Sequence, residues 1–315
     1  MLKLIIDAYP KCLGLTRLQR GLRVNCAIMI RFIIVTALLF PLNIQAETLV
    51  INKIRATNSP YMLNLLKLAL SYSSTKYTFE ELPERLTKTA SKQSLMLGDI
   101  DVMWGGTTID MERDFLPVRI DGYRGLMSMR FLIIREGDQA RFNNIKTLED
   151  LKTIRFGQGR SWADGKILEH SGLVVRRSTK KMGLYHMLDG GRFEAFPRGA
   201  TEAWKEVDQV SNLPLQVEEK LVISYPLPTY FFVNKDNASL ASDIERGLET
   251  MIADGAMDKF FYGSDRVRAF LKNAKLEQRR VIELENPFLP KETPVDRDEL
   301  WLTIDELIEG ERQFM

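Results

Sequence analysis

The sequence predicts an α/β protein of two lobes joined by two extended strands, and three observations carry that expectation. Strand and helix patterns alternate over residues 48–103 and again over residues 153–207. Two extended runs, Leu126–Arg135 and Tyr225–Asn234, bracket the second unit. Three helical patterns follow, at Leu240–Ala253, Ala256–Tyr262 and Asp265–Ala274, enough to complete the first lobe after the chain returns to it. Repeated β-α-β order implies mostly parallel sheets flanked by crossover helices. The expected lobes are residues 47–130 with 231–315 as a discontinuous first lobe, and residues 131–230 as the second. Ligands of such sheets sit outside the carboxyl ends of the strands, which here face a shared cleft.

The first 46 residues are a different material. Phe32–Leu42 is an apolar run behind Arg31, followed by Asn43-Ile44-Gln45-Ala46. A charged start, a secretory-length core and a small residue at the cut predict a signal peptide removed after Ala46. The run is short for a membrane span and Pro41 interrupts its end. A second methionine, Met29, precedes it and is the expected true start. Residues 1–46 hold six of the 44 basic and one of the 42 acidic residues, so the remainder carries 38 against 41, a net charge near −3. Such a balance gives no reason to expect nucleic acid. Both cysteines, Cys12 and Cys26, precede the cut, so the mature chain is thiol-free and relies on its core.

Within the mature chain, Thr48–Ala56 alternates as a strand and Asn58-Ser59-Pro60 reads as a helix start. Leu63, Leu66 and Leu70 share one face of a helix over Tyr61–Tyr72. Strand Tyr77–Leu82, helix Glu84–Leu97 and strand Ile100–Met103 complete the first unit. After a looser stretch, Thr147–Lys152 forms a short helical piece. The second unit runs through strands Thr153–Phe156, Leu173–Arg177 and Phe193–Phe196 and helices Trp162–His170, Lys181–Leu188 and Ala200–Val207. A Pro-rich segment at 286–294 and an amphipathic helix near Leu300–Ile308 form the tail.

The first site candidate is Trp104–Arg113, WGGTTIDMER, on a strand-to-helix turn. Trp104 offers a stacking face, Thr107 and Thr108 offer hydroxyls, and Arg113 offers a donor fork suited to a carboxylate. The second is Gly157–Trp162, where free backbone N–H groups and the following helix attract anions, with Arg160, Ser161 and Trp162 at hand. It lacks dinucleotide glycine spacing and a Walker lysine. Gly159-x-Ser161 also mimics a nucleophile elbow, but His170 ends the helix that Ser161 begins, too far along it to serve as a base. Ser161 with Asp164 three residues on reads instead as a helix cap. Two histidines and no mature cysteine imply neither a metal site nor a cofactor. Trp204 and Trp301 read as packing.

Gly106–Arg113 followed by Phe115-Leu116-Pro117, Thr147-Leu148-Glu149-Asp150-Leu151 before Ile154–Gly157, and Gly191-Arg192-Phe193-Glu194-Ala195 occur in that order. In order and spacing they resemble the extracellular solute-binding proteins of the amino-acid transporter type (family 3, type II periplasmic binding fold). The resemblance covers nearly all of residues 47–270. It implies that Thr108, Ile109 and Arg113 hold the Ser/Thr-Ile-x-x-x-Arg positions whose arginine grips an α-carboxylate. The family's Gly-Phe-x-x-Asp-Leu run is replaced by Asn58-Ser59-Pro60-Tyr61, which makes Asn58 and Tyr61 candidate contacts. The family's acidic residue after the second-lobe strand has Arg198 nearby instead, so Arg113 and Arg198 together imply a ligand with two anionic or strongly accepting ends.

The function expected from these readings is capture of a small polar, carboxylate-bearing solute in the periplasm. The protein would act as a monomer that serves an inner-membrane ABC permease or a sensor, with no covalent chemistry. Two rival expectations stand beside it. One is an enzyme similar to cyclohexadienyl dehydratases on this fold, with Glu194 or Glu202 as its acid or base. The other is an interaction module that binds no ligand.

Overall fold

The computed structural model describes residues 46–54 and 60–314. The expected leader up to Gln45, and Asn58, lie outside the described residues. The first sheet is built from β1 (Glu47–Ile51), β2 (Tyr77–Glu81), β3 (Val102–Gly106), β4 (Leu116–Val118) and β11 (Thr229–Val233), in the order β2-β1-β3-β11-β4. The β1, β2 and β3 strands pair in parallel because helices α1 (Tyr61–Leu70) and α2 (Lys88–Leu97) carry the crossovers. The returning strand β11 runs antiparallel to both β3 and β4.

The second sheet comprises β5 (Met129–Arg135), β8 (Phe196–Gly199), β9 (Leu215–Val217), β10 (Leu221–Ser224) and β12 (Arg280–Glu283). Strand β5 runs against β8, β9 and β10, while β10 and β12 are parallel. A parallel pair, β6 (Arg155–Gly159) and β7 (Val174–Ser178), meets this sheet through the bridge between Phe156 and Ala195. Both sheets are thus mixed: the first takes in β11 from the second crossing segment and the second takes in β5 from the first, each antiparallel to its neighbours. In the first sheet the parallel part is the part with helical crossovers. Strand β12 also departs from the expected division, because it returns residues 280–283 to the second sheet.

The remaining α-helices among the described residues are, in order, α3 (Ile109–Asp114), α4 (Gln139–Asn143), α5 (Leu148–Leu151), α6 (Ala163–His170), α7 (Lys181–Asp189), α8 (Ala203–Gln209), α9 (Ala238–Ala253), α10 (Ala256–Gly263), α11 (Asp265–Ala274) and α12 (Ile304–Phe314). The α1 helix buries Tyr61, Met62, Leu63, Leu65, Leu66, Ala69 and Leu70. Each large side chain so buried contributes about 1.5–3 kcal/mol. Its partner α9 approaches so closely that a Cβ at Gly247 would overlap the Ala69 carbonyl. Thr87 caps α2 by accepting from the Ala90 N–H, and Gly98 ends it at φ +80°, so the helix begins at Lys88 and Glu84 stays outside it. A capping box from Thr147 and Asp150 starts α5.

One hydrophobic cluster runs from α1 and the first sheet through Tyr123, Leu126 and Met129 to Phe131 and Phe196 of the second sheet. The crossing segments are therefore packed, and hydrogen bonds fix them further. Buried Asp121 accepts from the N–H groups of Tyr123 and Gly125 in the first crossing and of Thr229 in the second. No helix among the described residues is long and apolar enough to cross a membrane.

Candidate functional site

A cleft of about 350 Å³ opens where the first sheet's strand ends meet the crossing segments and the second lobe. Asn52, Lys53 and Ile54 follow β1, Pro60 and Met62 begin α1, and Arg85 and Lys88 stand at the approach to α2. Trp104 comes from β3, Tyr123 and Met127 from the first crossing, Thr229 from the second, Glu202 from the turn before α8 and Arg266 from the first turn of α11. The lining mixes an apolar and aromatic wall with a comparable share of polar groups, four cations and one anion among them.

Tyr123 is the organising side chain. Its ring stacks on Tyr61 with centroids 4.4 Å apart and planes at 12°. Tyr61 is itself buried and donates its hydroxyl to the Gly122 carbonyl at 2.9 Å. Arg266 donates Nη1 to the Tyr123 hydroxyl at 3.2 Å. Burial pushes the Tyr123 phenol up to about 12, with Arg266 pulling against it and Glu202 adding to it. Both charges therefore act on one phenol.

Glu202 is the second-lobe acid in the cleft. Its Oε2 accepts from the Gly199 N–H at 3.0 Å and pairs with Arg198 at 3.0 Å, and the side chain keeps 31 % exposure. Arg198 was expected to face a ligand, but its charge is spent within the lobe. Its Nε and Nη2 donate to Glu206 at 2.6 and 2.8 Å, and its guanidinium lies 4.7 Å from the Trp162 ring centroid. Lys181 and the Tyr185 hydroxyl also reach Glu206, at 2.7 and 2.6 Å. Burial opposes the Glu206 charge, but Arg198 and then Lys181 outweigh it and hold the carboxyl below the usual carboxylate range. The expectation of a two-arginine cleft is corrected accordingly: Arg198 is a buried structural cation, and the cleft is given an anion instead.

Arg113 is corrected in the same way. Its side chain is 64 % exposed, pairs with Asp110 at 2.7 Å and Asp114 at 2.9 Å, and is not part of the cleft lining. Thr107 is buried and donates to Glu112 at 2.7 Å, while Glu112 takes both Nε and Nη2 of Arg119. Thr108 caps α3 by accepting from the Met111 N–H. In this stretch Gly106 leaves room for Leu227, and Trp104 alone lines the cleft.

Around β6 the outcome is similar. The Arg160 carbonyl accepts from Arg177 and its N–H donates to Ser178, and both Arg160 and Ser161 are exposed. Ser161 makes no cap, since Trp162 holds that position without a side-chain bond. Asp164, the expected partner of that cap, instead accepts from Arg130 at 2.6 Å and the Tyr225 hydroxyl at 2.7 Å. Trp162 lies nearly parallel to Phe196 and covers Gly159, which packs it into the second lobe. Glu194 is buried and tied to the Arg155 backbone and guanidinium, away from the cleft. Trp204 packs on Phe131 and Phe270.

Thus Trp104 lines the cleft, Tyr61 supports it from beneath, and Thr107, Thr108, Arg113, Arg160, Ser161, Trp162 and Arg198 lie outside its lining. The residues that sequence reasoning missed are Tyr123, Arg266 and Lys88, with Glu202 read only as a catalytic candidate. Among the described residues no group of three or more His, Cys, Asp or Glu side chains is placed to hold a metal ion.

No protein-family model and no curated protein matches the sequence. Solved structures do match. The probable amino-acid ABC transporter extracellular-binding protein ytmK of Bacillus subtilis is 18% identical, with a TM-score of 0.52 over 69% of this chain and 96% of that one. The amino acid ABC transporter substrate-binding protein AbpA of Streptococcus pneumoniae, bound to L-arginine, is 14% identical, with a TM-score of 0.49 over 72% and 96%. An ancestral arginine-binding protein bound to arginine is 20% identical, with a TM-score of 0.48 over 69% and 97%. The first of these shows the fold: two α/β lobes of the type II periplasmic binding kind.

Proposed function

We propose that this chain is a secreted solute-binding protein that takes a small polar, carboxylate-bearing solute into the interlobe cleft. It works in the periplasm and presents the solute to an inner-membrane ABC permease or to a sensor. One observation carries the reading. The cleft joins cations of the first lobe to Glu202 of the second, across an aromatic wall of Trp104 and Tyr123. A solute with charge of both signs satisfies both lobes at once, and that is what makes closure of two lobes favourable. The fold supports it, because the Bacillus subtilis neighbour is described as a probable amino-acid ABC transporter extracellular-binding protein. Its volume lies in the usual range for small-ligand sites, about 300–1,000 Å³.

A thermal-shift screen of residues 47–315 against amino acids, dicarboxylates, polyamines and small peptides tests the reading. A solute at a hundred times its Kd adds about 2.7 kcal/mol and raises Tm by several degrees. Solutes bearing a cation should lose at least tenfold in affinity in Glu202→Gln. A wild-type protein that no compound in the panel stabilises would refute the solute-binding reading.

A further inference from the structure

We infer that Arg266, reaching in from α11 near the chain's C-terminal end, is the residue that grips the solute's carboxylate. The inference rests on the solute-binding reading above and deepens it. The alternatives are already occupied. Arg113 is turned to solvent between Asp110 and Asp114. Arg198 is bound by Glu202 and Glu206. Arg130 is bound by Asp164 and the Met127 carbonyl, and Arg124 by Asp258 and the Glu299 carbonyl.

Arg266 differs from all four. It lines the cleft, and no carboxylate pairs with it among the described residues. Its guanidinium makes one hydrogen bond among the described residues, from Nη1 to the neutral Tyr123 hydroxyl, which leaves Nε and Nη2 as a two-pronged donor edge. Lys53 and Arg85 also border the cleft, but both are exposed and Lys53 donates to the Pro83 carbonyl. Lys88 has an exposed stem and an ammonium whose pKa burial lowers, and a single ammonium offers a carboxylate no two-pronged edge. An exposed cation on a flexible stem attracts an anion at long range and holds it weakly, whereas a half-buried fork acts at lower local dielectric.

The fork is also aimed. Tyr123 stacks on buried Tyr61, and its backbone N–H is held by Asp121, so the phenol that orients Arg266 has little freedom. Glu202 also lines the cleft and acts on the same phenol, without pairing with Arg266. A half-buried guanidinium lacking a counter-charge carries a desolvation cost that an incoming carboxylate offsets. The geometry thus sets the solute's anionic end on Arg266 and leaves for its cationic end the Oε1 of Glu202, whose Oε2 is taken by Arg198 and the Gly199 N–H.

Isothermal titration tests the assignment with L-phenylalanine, L-methionine, L-arginine, L-glutamine and L-glutamate, followed by the carboxamide of whichever binds best. Arg266→Gln should weaken the acid at least about 30-fold, Arg266→Lys less, and Arg113→Ala no more than about twofold. Wild type should discriminate acid from carboxamide by about 30-fold or more, and Arg266→Gln by no more than about threefold. That loss of discrimination separates recognition from mere support of the fold, and unchanged thermal melting of the unliganded variants gives a second control. Unaltered affinity in Arg266→Gln, or discrimination equal to wild type, would overturn the assignment and leave the solute-binding reading standing. Should none of these amino acids bind wild type, the carboxylate that the thermal-shift panel identifies takes their place in the same titrations, and a panel in which nothing binds would overturn both.

Discussion

Residue positions on the sequence line do not give side-chain directions, and the arginines illustrate how charge neighbours decide them. Arg113 has an aspartate on either side, at positions 110 and 114, and these hold it at the surface. Exposed pairs of this kind are worth about 0–1 kcal/mol, so Arg113→Ala should change Tm by no more than a degree or two and leave solute affinity intact. Arg198 precedes glutamates four and eight residues on, and helical spacing puts both on one face. Arg198 itself lies in strand β8, so that spacing alone does not aim it at them, and its pairing shows only in the folded chain. The buried Glu206 within this cluster gives a pH prediction. Its carboxyl is held below its ordinary value of 4.5, so the folded state binds the proton less readily than the unfolded chain. The resulting stability is present above pH 4.5 and is lost as pH falls below it. Tm measured between pH 7 and pH 3 should fall at the acid end, and Glu206→Gln should flatten that fall while lowering Tm at pH 7. An acid limb as steep in Glu206→Gln as in wild type would show that other carboxylates dominate acid unfolding.

Elements were legible where a local pattern and a buried face agree. Helix α1 has its leucines at helical spacing and a proline at its start, and it lies where those signals put it. The capping box at Thr147 was equally local. Strands β9 and β12, of three and four residues, carry too few side chains for periodicity to register, and their existence depends on partners far along the chain. Strand Phe196–Gly199 sits further along than its apolar pattern implied, because Phe193 and Ala195 are buried before the pairing with β5 begins. The close approach of α9 to α1 is another feature with no local signal. Gly247 lies in a 16-residue helix, where alanine would ordinarily be the better residue. Here a methyl group has no room against the Ala69 carbonyl. Gly247→Ala should therefore destabilise by about 1–3 kcal/mol instead of stabilising, and lower Tm by roughly 3–10 °C. An increase in Tm, the usual result of removing a helical glycine, would show that the two helices separate without cost.

At the scale of the whole molecule, the cleft is assembled from segments more than two hundred residues apart, from Asn52 to Arg266. One sequence without partners for its contacts gives the lobes and the location of a cleft between them, but not which distant side chain enters. The C-terminal tail shows the same long-range logic in the crossing segments. Asn286 donates to the Pro226 carbonyl of the second crossing. Leu302 N–H donates to the Arg124 carbonyl of the first, and Arg124 reaches back to the Glu299 carbonyl. Trp301 packs against Gly125, whose φ of +79° and lack of a Cβ allow that contact, and its indole N–H donates to the Pro294 carbonyl at 2.8 Å. Because the tail holds both crossings, loosening it should act first on the hinge and only then on the lobe cores. Trp301→Ala removes a partly buried ring and its indole hydrogen bond from the tail. Amide hydrogen exchange should then quicken at residues 121–128 and 225–230, while β1, β3 and β5 keep their protection. Uniformly faster exchange would make the tail an ordinary part of the global core, and unchanged exchange at 121–128 would show that the crossings hold their shape through Asp121 and their own apolar packing.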